Sequence, residues 1–300
     1  MKIVVTGSLG HISKPLTEAL IKKGHEVTVI SSSGNKQSLI EMLGAKAAIG
    51  SVKDADFLAA AFDGADAVYT MVPPVSYFDP NIDPVGYFSM IGRNYVNAIL
   101  RTGIKKVVNL SSWGADLDKG NGGIAGAYHL ERLLNGLPAE VNITHVRPTS
   151  FYYNLYSFIP AIKNNGMIGA GYGGDDLTVL VSPEDIAIAV AEEFENPGCG
   201  RRICYVASDE LTCNEVAHIL GKAIGMPDLK WILVPGEQIQ TRLEAAGMPQ
   251  KMAASLVELQ NGHHTGIIAE DYLRNRPFSL GRIKTADFAK DFADAFFRNK

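Results

Sequence analysis

A turn with two glycines near the start of the chain constrains the fold more than any other feature of the sequence. It reads Thr6-Gly7-Ser8-Leu9-Gly10-His11-Ile12-Ser13 and joins an apolar run to an amphipathic helical pattern. A glycine at 7 permits a tight turn, and a glycine at 10 lets the backbone approach a pyrophosphate, which the amides at the helix start then face. The turn predicts a dinucleotide site, although its spacing is G-x-x-G-x-x-S and Ser13 replaces the third glycine of G-x-G-x-x-G.

The first 150 residues alternate strand patterns with helix patterns. Short apolar runs are typical of strands covered on both faces, and helices between them imply right-handed crossovers in a parallel sheet. We therefore expect an α/β fold with a Rossmann-type, doubly wound parallel sheet. The expected strands are 3–5, 27–30, 47–49, 67–72, 106–110 and 143–146, and the expected helices are about 10–23, 36–43, 85–102 and 125–136, with a further helix capped by Asp54.

Local signals in the second half are less regular. Ser182, followed by a proline and two acids, is typical of a helix start, and Thr212 with Glu215 forms a capping box. Further strands are expected near 177–181, 202–206 and 230–234, and a last helix at about 285–297. We predict a dinucleotide-binding domain at 1–150 and a smaller C-terminal α/β lobe at 151–300, interleaved with the first.

Composition excludes several classes of protein. Hydrophobic residues make up 46% of the 300 residues and charged residues 20%, which supplies a sizeable core and excludes disorder. With 28 basic and 32 acidic residues, no basic excess points to nucleic acid or an anionic membrane as a partner. Three cysteines without a C-x-x-C pair, no signal-peptide pattern and no membrane-length apolar run favour a cytoplasmic protein without a membrane span.

The end of the second strand bears on which dinucleotide is bound. An acidic residue there would bind the ribose 2′-hydroxyl of NAD, but the segment from Ser31 to Lys36 has none, and the first carboxylate is Glu41. The hydroxyls of Ser31, Ser32 and Ser33 and the charge of Lys36 suit a 2′-phosphate, which favours NADP over NAD. The alternative is a polar loop that contacts only adenine.

Several segments resemble the NmrA-like branch of the atypical short-chain dehydrogenases over nearly the full chain. They are Thr6–Ser13, 24–30, 64–69, 107–112, Glu131-x-x-Leu134, 143–148, 151–154 and 183–187. That branch includes NAD(P)H:quinone reductases, isoflavone-type reductases and non-enzymatic redox-sensing regulators. The resemblance also implies the residues that contact the dinucleotide. They are Gly7, Leu9, Gly10, His11, Ile12, Ser31, Ser32, Ser33, Ser51, Val52, Met71, Val72, Pro73, Pro148 and Phe151.

The candidate acid–base group is less well defined. Short-chain dehydrogenases usually carry Y-x-x-x-K on the helix after the fifth strand, where a lysine lowers the pKa of a tyrosine hydroxyl. Here Tyr128 and Arg132 form Y-x-x-x-R, but alignment with the NmrA-like pattern puts the two positions at Gly123 and Ala127. The remaining candidates for proton transfer are Ser112 (or its neighbour Ser111), Tyr128 and His129. The serine could hydrogen-bond a substrate oxygen but is a weak acid without a general base, Tyr128 and Arg132 are alternatively structural or pocket-lining, and His129 is alternatively a surface or packing residue.

Aromatic residues follow three of the expected strands, at the edge where ligands bind in open α/β sheets. Tyr77, Trp113, Tyr152 and Tyr153 are the candidates for a pocket that stacks a flat ring, or else they pack one lobe against the other. No metal is expected, because His263-His264 lacks a third ligand. We expect Asp185 to cap its helix, and Arg274, Arg276, Arg282 and Lys284 to form a solvated surface.

Together these patterns predict an NADPH-dependent reductase that transfers a hydride to a small-molecule electron acceptor such as a quinone. An alternative from another class is a non-catalytic NADP(H) sensor that signals to a protein partner. A sugar-nucleotide epimerase is a lesser alternative, because the tyrosine–lysine pair is absent.

Overall fold

The computed structural model describes residues 1–298. The strands, in chain order, are β1 (Lys2–Val5), β2 (Glu26–Ser31), β3 (Lys46–Ile49), β4 (Ala67–Thr70), β5 (Lys106–Leu110), β6 (Asn142–Pro148), β7 (Ser150–Phe151), β8 (Met167–Ala170), β9 (Leu177–Val181), β10 (Arg201–Val206), β11 (Asp209–Thr212) and β12 (Lys230–Leu233). The α-helices are α1 (Ser13–Lys22), α2 (Gln37–Met42), α3 (Ala55–Phe62), α4 (Pro84–Thr102), α5 (Ala125–Asn135), α6 (Ile159–Asn165), α7 (Pro183–Glu195), α8 (Cys213–Ala223), α9 (Gly236–Ala245), α10 (Gln250–His264), α11 (Glu270–Arg274) and α12 (Thr285–Arg298).

A parallel sheet of seven strands forms the main lobe, in the order β10-β6-β5-β4-β1-β2-β3. In the register, Val5 faces both Val29 of β2 and Tyr69 of β4, and all three side chains are fully buried. Strands covered on both faces have no polar side to present to water, which is why their sequences are continuous apolar runs. The doubly wound Rossmann-type sheet predicted from the sequence is confirmed.

Helices cover both faces of this sheet. One face packs on α1 and α7, through residues such as Leu16 and Val190. The other packs on α3, α4 and α5, through Leu58, Tyr95 and Leu130. The strand order reverses direction between β1 and β4, so that the carboxyl ends of these two strands flank the crevice where α/β folds bind ligands.

After residue 150 the chain leaves the main sheet and later rejoins it. It leaves the main sheet after β6, returns through α7, and adds β10 as the edge strand beside β6. The second lobe contains two small sheets, β11-β9-β7 and β12-β8. Its core joins α8 and α12 through residues such as Leu220, Trp231 and Phe292.

Two predicted helix starts are present, but the role of Asp185 differs from the expectation. Ser182 Oγ accepts a hydrogen bond from the Asp185 amide, and Thr212 and Glu215 form the full capping box. The Asp185 carboxylate is not a cap. It accepts hydrogen bonds from Ser208 Oγ (2.6 Å) and from the amides of Arg282 and Ile283 (3.1 Å each), so it anchors the segment that leads into α12.

The basic C-terminal residues form an exposed surface at Arg274, Arg276 and Arg282, as expected, and Lys284 is half-buried. Lys284 Nζ donates to the carbonyl oxygen of Ser208 at 2.5 Å, and Arg276 pairs with Glu210 at 3.0 Å. Arg274 lies 3.9 Å from the carboxylates of both Glu270 and Asp271. These charges are therefore partnered by acidic groups or a carbonyl rather than gathered into one basic patch. Within residues 1–298, no helix combines the length and the apolar character needed to cross a bilayer.

Candidate functional site

The turn between β1 and α1 has the shape expected of an anion-binding loop. Gly7 has a φ of 92°, a left-handed conformation that glycine adopts without strain, and Ser8 follows with a φ of 56°. A Cβ at Gly7 would collide with Ser13 Oγ and lie 3.2 Å from Met71 Cγ. Glycine is therefore required at 7 both by the backbone conformation and by the close packing of α1 against the strand end.

The amides of this turn remain available to a ligand. Within residues 1–298, the backbone N–H groups of Leu9, His11 and Ile12 donate no hydrogen bond. Ser13 Oγ instead donates to the Thr6 carbonyl at 2.8 Å, which draws the helix start against β1, as the third glycine of related loops does by its small size. Adjacent free amides at a helix start favour a bound anion such as a pyrophosphate.

The end of β2 forms a small hydroxyl network beside this loop. Ser8 Oγ donates to Ser31 Oγ at 2.9 Å, and the Ser33 amide donates to Ser31 Oγ at 3.2 Å. Ser32, Ser33 and Lys36 are exposed, with Lys36 closing a short 3₁₀ turn. The segment 31–36 itself contains no carboxylate, and Glu41, the first acid after it, accepts a hydrogen bond from Gln37 Nε2 on its own helix at 2.9 Å.

The other residues implied as dinucleotide contacts follow the ends of β3, β4 and β6. Ser51 is half-buried and Val52 is buried, with the Val52 carbonyl held by Asn94 Nδ2 at 3.2 Å. Met71 is fixed at both backbone groups: its amide donates to Thr6 Oγ1 at 3.0 Å, and its carbonyl accepts from Tyr95 Oη at 2.6 Å. Val72 and Pro73 follow it, half-buried, and Pro148 is buried at the end of β6. All of them lie at the carboxyl edge of the main sheet.

A cavity of about 280 Å³ opens at the same edge, between the ends of β5 and β6 and the second lobe. Helix α10 contributes one wall, through Leu256, Leu259, Gln260 and His263. Rings form much of the rest, from Trp113, Phe151, Phe158 and Tyr172. The lining residues include no Lys, Arg, Asp or Glu, so the cavity suits an uncharged, ring-containing ligand.

Of the three predicted catalytic candidates, Ser112 lines this cavity and the other two do not. Ser112 lines the cavity, as do Thr149 and Ser150. Tyr128 and His129 do not line it: their rings contact each other at 5.3 Å, and the Arg132 guanidinium lies 5.6 Å from the Tyr128 ring. They lie on α5, none of whose residues lines the cavity, although Ile124, just before the helix, does.

The predicted pocket aromatics are also divided. Trp113 lines the cavity, together with Phe151. Tyr152 is 2% exposed and stacks on Phe288 in the second-lobe core, with its hydroxyl on the Ile283 carbonyl, so its position differs from the expectation. Tyr77 is 51% exposed on the loop after β4. Tyr153 turns the other way from Tyr152 and stacks on His11 of the glycine turn.

A buried ionic network lies behind Ser112. Arg147 is 4% exposed and makes a two-pronged contact with Glu131, from Nε at 2.9 Å and Nη2 at 2.6 Å. Its Nη1 donates to Asp271 at 3.0 Å and to Tyr205 Oη at 3.1 Å. Ser111 Oγ donates to the same Glu131 at 2.5 Å. Ser111, the neighbour of Ser112, is therefore hydrogen-bonded to α5 through Glu131.

Sequence reasoning missed His263 and Tyr172 as cavity residues. Both lie far along the chain from β5, and the pair His263-His264 suggested only a metal. Within residues 1–298, no group of three His, Cys, Asp or Glu side chains is placed to hold a metal ion. No local sequence pattern indicated that the segment of α10 packs beside the ends of β5 and β6.

Comparison with known proteins gives relatives over most of the chain. An isoflavone reductase homologue, P3, of Arabidopsis thaliana is 22% identical over 275 residues, covering 85% of this chain and 84% of that protein. An NADPH-dependent quinone oxidoreductase of Escherichia coli, solved with NADPH, superposes with a TM-score of 0.80 at 20% identity, covering 96% of this chain and 99% of that one. A nucleoside-diphosphate-sugar epimerase of Staphylococcus aureus gives 0.79 at 18% identity, covering 97% and 100%.

The two structural likenesses establish the fold, which reductases and epimerases share. The family follows from the sequence match over residues 1–267, about nine-tenths of the chain, to the NmrA-like family. That match spans the glycine turn, the main sheet and the cavity walls up to the end of α10. This chain belongs to the NmrA-like family.

Proposed function

We propose that this protein binds NADPH and reduces a small, uncharged electron acceptor of the quinone type. The observation that carries the proposal is the chain of contacts between the glycine turn and the cavity. Phe151 lines the cavity and packs at 5.1 Å on Tyr153, which in turn stacks on His11 of the turn. A dinucleotide bound at the turn and a ring bound in the cavity would therefore be neighbours at one edge of the sheet.

The residues at the turn fit NADPH. The free amides of Leu9, His11 and Ile12 would hold the pyrophosphate, and Ser31–Ser33 with Lys36 would hold the 2′-phosphate, since the segment 31–36 contains no carboxylate of its own. When bound, NADPH supplies a hydride; the quinone gains this hydride and one proton from water and leaves as the hydroquinone, with NADP⁺ as the second product. The E. coli relative, solved with NADPH, supports this choice.

The uncharged lining favours a quinone-like acceptor over a sugar nucleotide. A nucleoside diphosphate carries charges that proteins usually neutralise with Arg or Lys, and neither lines the cavity. Alignment with the NmrA-like pattern puts the epimerase-type tyrosine and lysine at positions 123 and 127, which are Gly123 and Ala127 in this chain. A quinone needs no such pair, because its carbonyl oxygens stabilise the negative charge that hydride transfer places on them.

A second candidate is a protein that binds NADP(H) without turnover and signals its redox state to a protein partner. The same two positions, Gly123 and Ala127, favour it, since they remove the usual acid. We would follow NADPH consumption by absorbance with a panel of quinones, and titrate NADPH and NADH by calorimetry. Consumption supports the reductase, and tight binding without consumption supports the sensor. If neither coenzyme gives heat with folded protein, both proposals fail.

A further inference from the structure

His263 is a polar residue in the wall of the cavity that lacks a hydrogen-bond partner. Its ring lies between those of Trp113 (centroids 5.1 Å apart) and Tyr172 (4.8 Å, stacked). Nδ1 is enclosed, and neither ring nitrogen is hydrogen-bonded within residues 1–298. Buried polar groups are nearly always satisfied in native proteins, so an unsatisfied one that is held between two rings calls for an explanation.

The enclosed position of Nδ1 determines where the proton of this imidazole resides. Burying an N–H without a partner costs more than burying an unused lone pair, so Nδ1 carries the lone pair and Nε2 carries the hydrogen. Burial lowers the pKa of His263 to about 4, and Asp176 opposes this only in part. Near neutral pH the ring is therefore uncharged, with Nε2–H as the donor that remains available to a ligand.

The Asp176 carboxylate, whose charge acts on His263, is paired with the neighbouring His264. His264 Nδ1 lies 2.8 Å from Asp176 Oδ2, which also accepts from the Gly173 amide at 2.8 Å. Asp176 is thus engaged by His264 and Gly173, and neither Asp176 nor His264 lines the cavity, whereas His263 does. The two adjacent histidines have different partners: His264 has a carboxylate, and His263 has only rings.

We infer that Nε2–H of His263 donates a hydrogen bond to the carbonyl oxygen of the substrate in this cavity. The inference rests on the proposed reductase function and adds a specific catalytic residue to it. Negative charge develops on that oxygen as the ring accepts the hydride, and the lining offers no cation to stabilise it. A donor held in place between two rings stabilises that charge without having to reorganise as the charge forms. His263 keeps its own proton, and the proton of the product comes from water.

Two substitutions at 263 separate hydrogen bonding from packing. His263→Phe keeps a ring between Trp113 and Tyr172 but removes the donor, whereas His263→Gln places an amide N–H near the position of Nε2. With duroquinone, whose fully substituted ring does not add thiols, we expect kcat/KM to fall about 10- to 100-fold in His263→Phe. We expect His263→Gln to recover to within about threefold of wild type. NADPH affinity should not change in either variant, and His264→Gln is the matched control from the same helix.

A binding measurement keeps this inference separate from the proposed function. Duroquinone affinity is measured by calorimetry with NADP⁺ present, so that no turnover is needed. We expect His263→Phe to bind it about fivefold more weakly than wild type, and His263→Gln to bind it nearly as well. If wild type binds NADPH and duroquinone without turnover, the reductase proposal fails and the binding data still judge His263. The inference is overturned if His263→Phe matches wild type in kcat/KM and duroquinone affinity. It is also overturned if both 263 variants lose these equally, or if wild type does not bind duroquinone.

Discussion

Tyr153 stacks on His11, with ring centroids 4.9 Å apart and ring planes inclined by 29°. This contact joins the segment after β6 to the glycine turn after β1, although the two residues are 142 positions apart in the chain. Burial raises the pKa of Tyr153 to about 12, so its hydroxyl is protonated at neutral pH. Tyr153 also packs on Phe151 of the cavity wall, which makes it the physical link between the proposed dinucleotide and substrate sites.

Removing this link should weaken dinucleotide binding. Aromatic pairs contribute roughly 1 kcal/mol beyond the area they bury, which corresponds to about a fivefold change in affinity. We therefore expect Tyr153→Ala to raise the Kd for NADPH about fivefold in calorimetry, because the turn loses its packing partner. Tyr153→Phe keeps the ring and is the control, with an expected Kd near that of wild type. Equal affinities for all three proteins would show that the stack has no part in binding.

The conformation of Gly7 provides a second test. Gly7→Ala should abolish measurable NADPH binding, because the new methyl group must displace Ser13 at the start of α1. Gly24→Ala is a matched control, since Gly24 also has a positive φ, of 82°, but has open space at its Cβ. Both variants carry the backbone cost of a side chain at positive φ, about 1 kcal/mol in thermal unfolding, and Gly7→Ala adds the clash with Ser13, so binding is measured at a temperature where both variants are folded. Retained binding in Gly7→Ala would place the phosphates elsewhere.

Charge reversal at Lys36 tests the choice of coenzyme. A glutamate at 36 would repel a 2′-phosphate but has little to repel in NADH, so the ratio of the two dissociation constants should shift about tenfold toward NADH. Lys222→Glu, on the exposed face of α8, makes the same change in net charge far from the turn and should leave the ratio unchanged. Equal losses for both coenzymes in Lys36→Glu would contradict the ribose assignment.

Local sequence patterns were enough to predict the part of the site that lies in the first strand–helix–strand unit, β1-α1-β2. The glycine turn, the hydroxyl-rich end of β2 and the parallel strands are each local in sequence, and the structure contains them with shifts of a few residues. Helix α1 begins at Ser13 rather than near Gly10, because the amides of residues 9–12 stay outside the helix. The predicted strand at 67–72 ends at Thr70, where Met71 turns to contact Thr6.

The substrate side depends on tertiary contacts that a sequence does not encode locally. Tyr152 and Tyr153 are neighbours of the same type, yet one enters the second-lobe core and the other covers the glycine turn. Their directions depend on a 3₁₀ segment, Tyr152–Phe158, whose periodicity no local pattern indicates. His263 and Asp185 likewise acquire their roles from elements far along the chain, so neither spacing nor capping rules could identify them.

Acid should destabilise the protein through a buried histidine in the main sheet. Thr70 Oγ1 donates to Asn109 Oδ1 at 3.0 Å, so Asn109 Nδ2 faces His145 Nδ1 as a donor at 3.2 Å, and His145 Nε2 donates to Asn135 Oδ1 at 3.0 Å. Burial, which is the largest cause, lowers the pKa of His145 from 6.5 to about 4. Since the unfolded histidine binds a proton more readily, its contribution is complete above pH 6.5 and is lost as the pH falls toward 4.

This loss should reach about 3 kcal/mol in the free energy of unfolding, measured by urea titration between these pH values. Other histidines also titrate, so the test is the difference between wild type and His145→Gln. The variant should be less stable at pH 7 but should show a shallower decline toward acid. Parallel curves for the two proteins would rule out His145 as the source.

The buried network around Arg147 should be the most sensitive ionic site in the fold. Arg147→Met would leave the buried carboxylate of Glu131 without its cation and Asp271 with only Arg274, 3.9 Å away, and should lower the free energy of unfolding by about 3–5 kcal/mol. Arg101→Met is the control, because Arg101 also pairs with an aspartate, Asp56, but both side chains are at least half exposed. It should cost less than about 1 kcal/mol. Comparable losses in urea unfolding would show that burial does not set the strength of these pairs, and that the network behind Ser112 does not hold α5 and α11 to the main sheet.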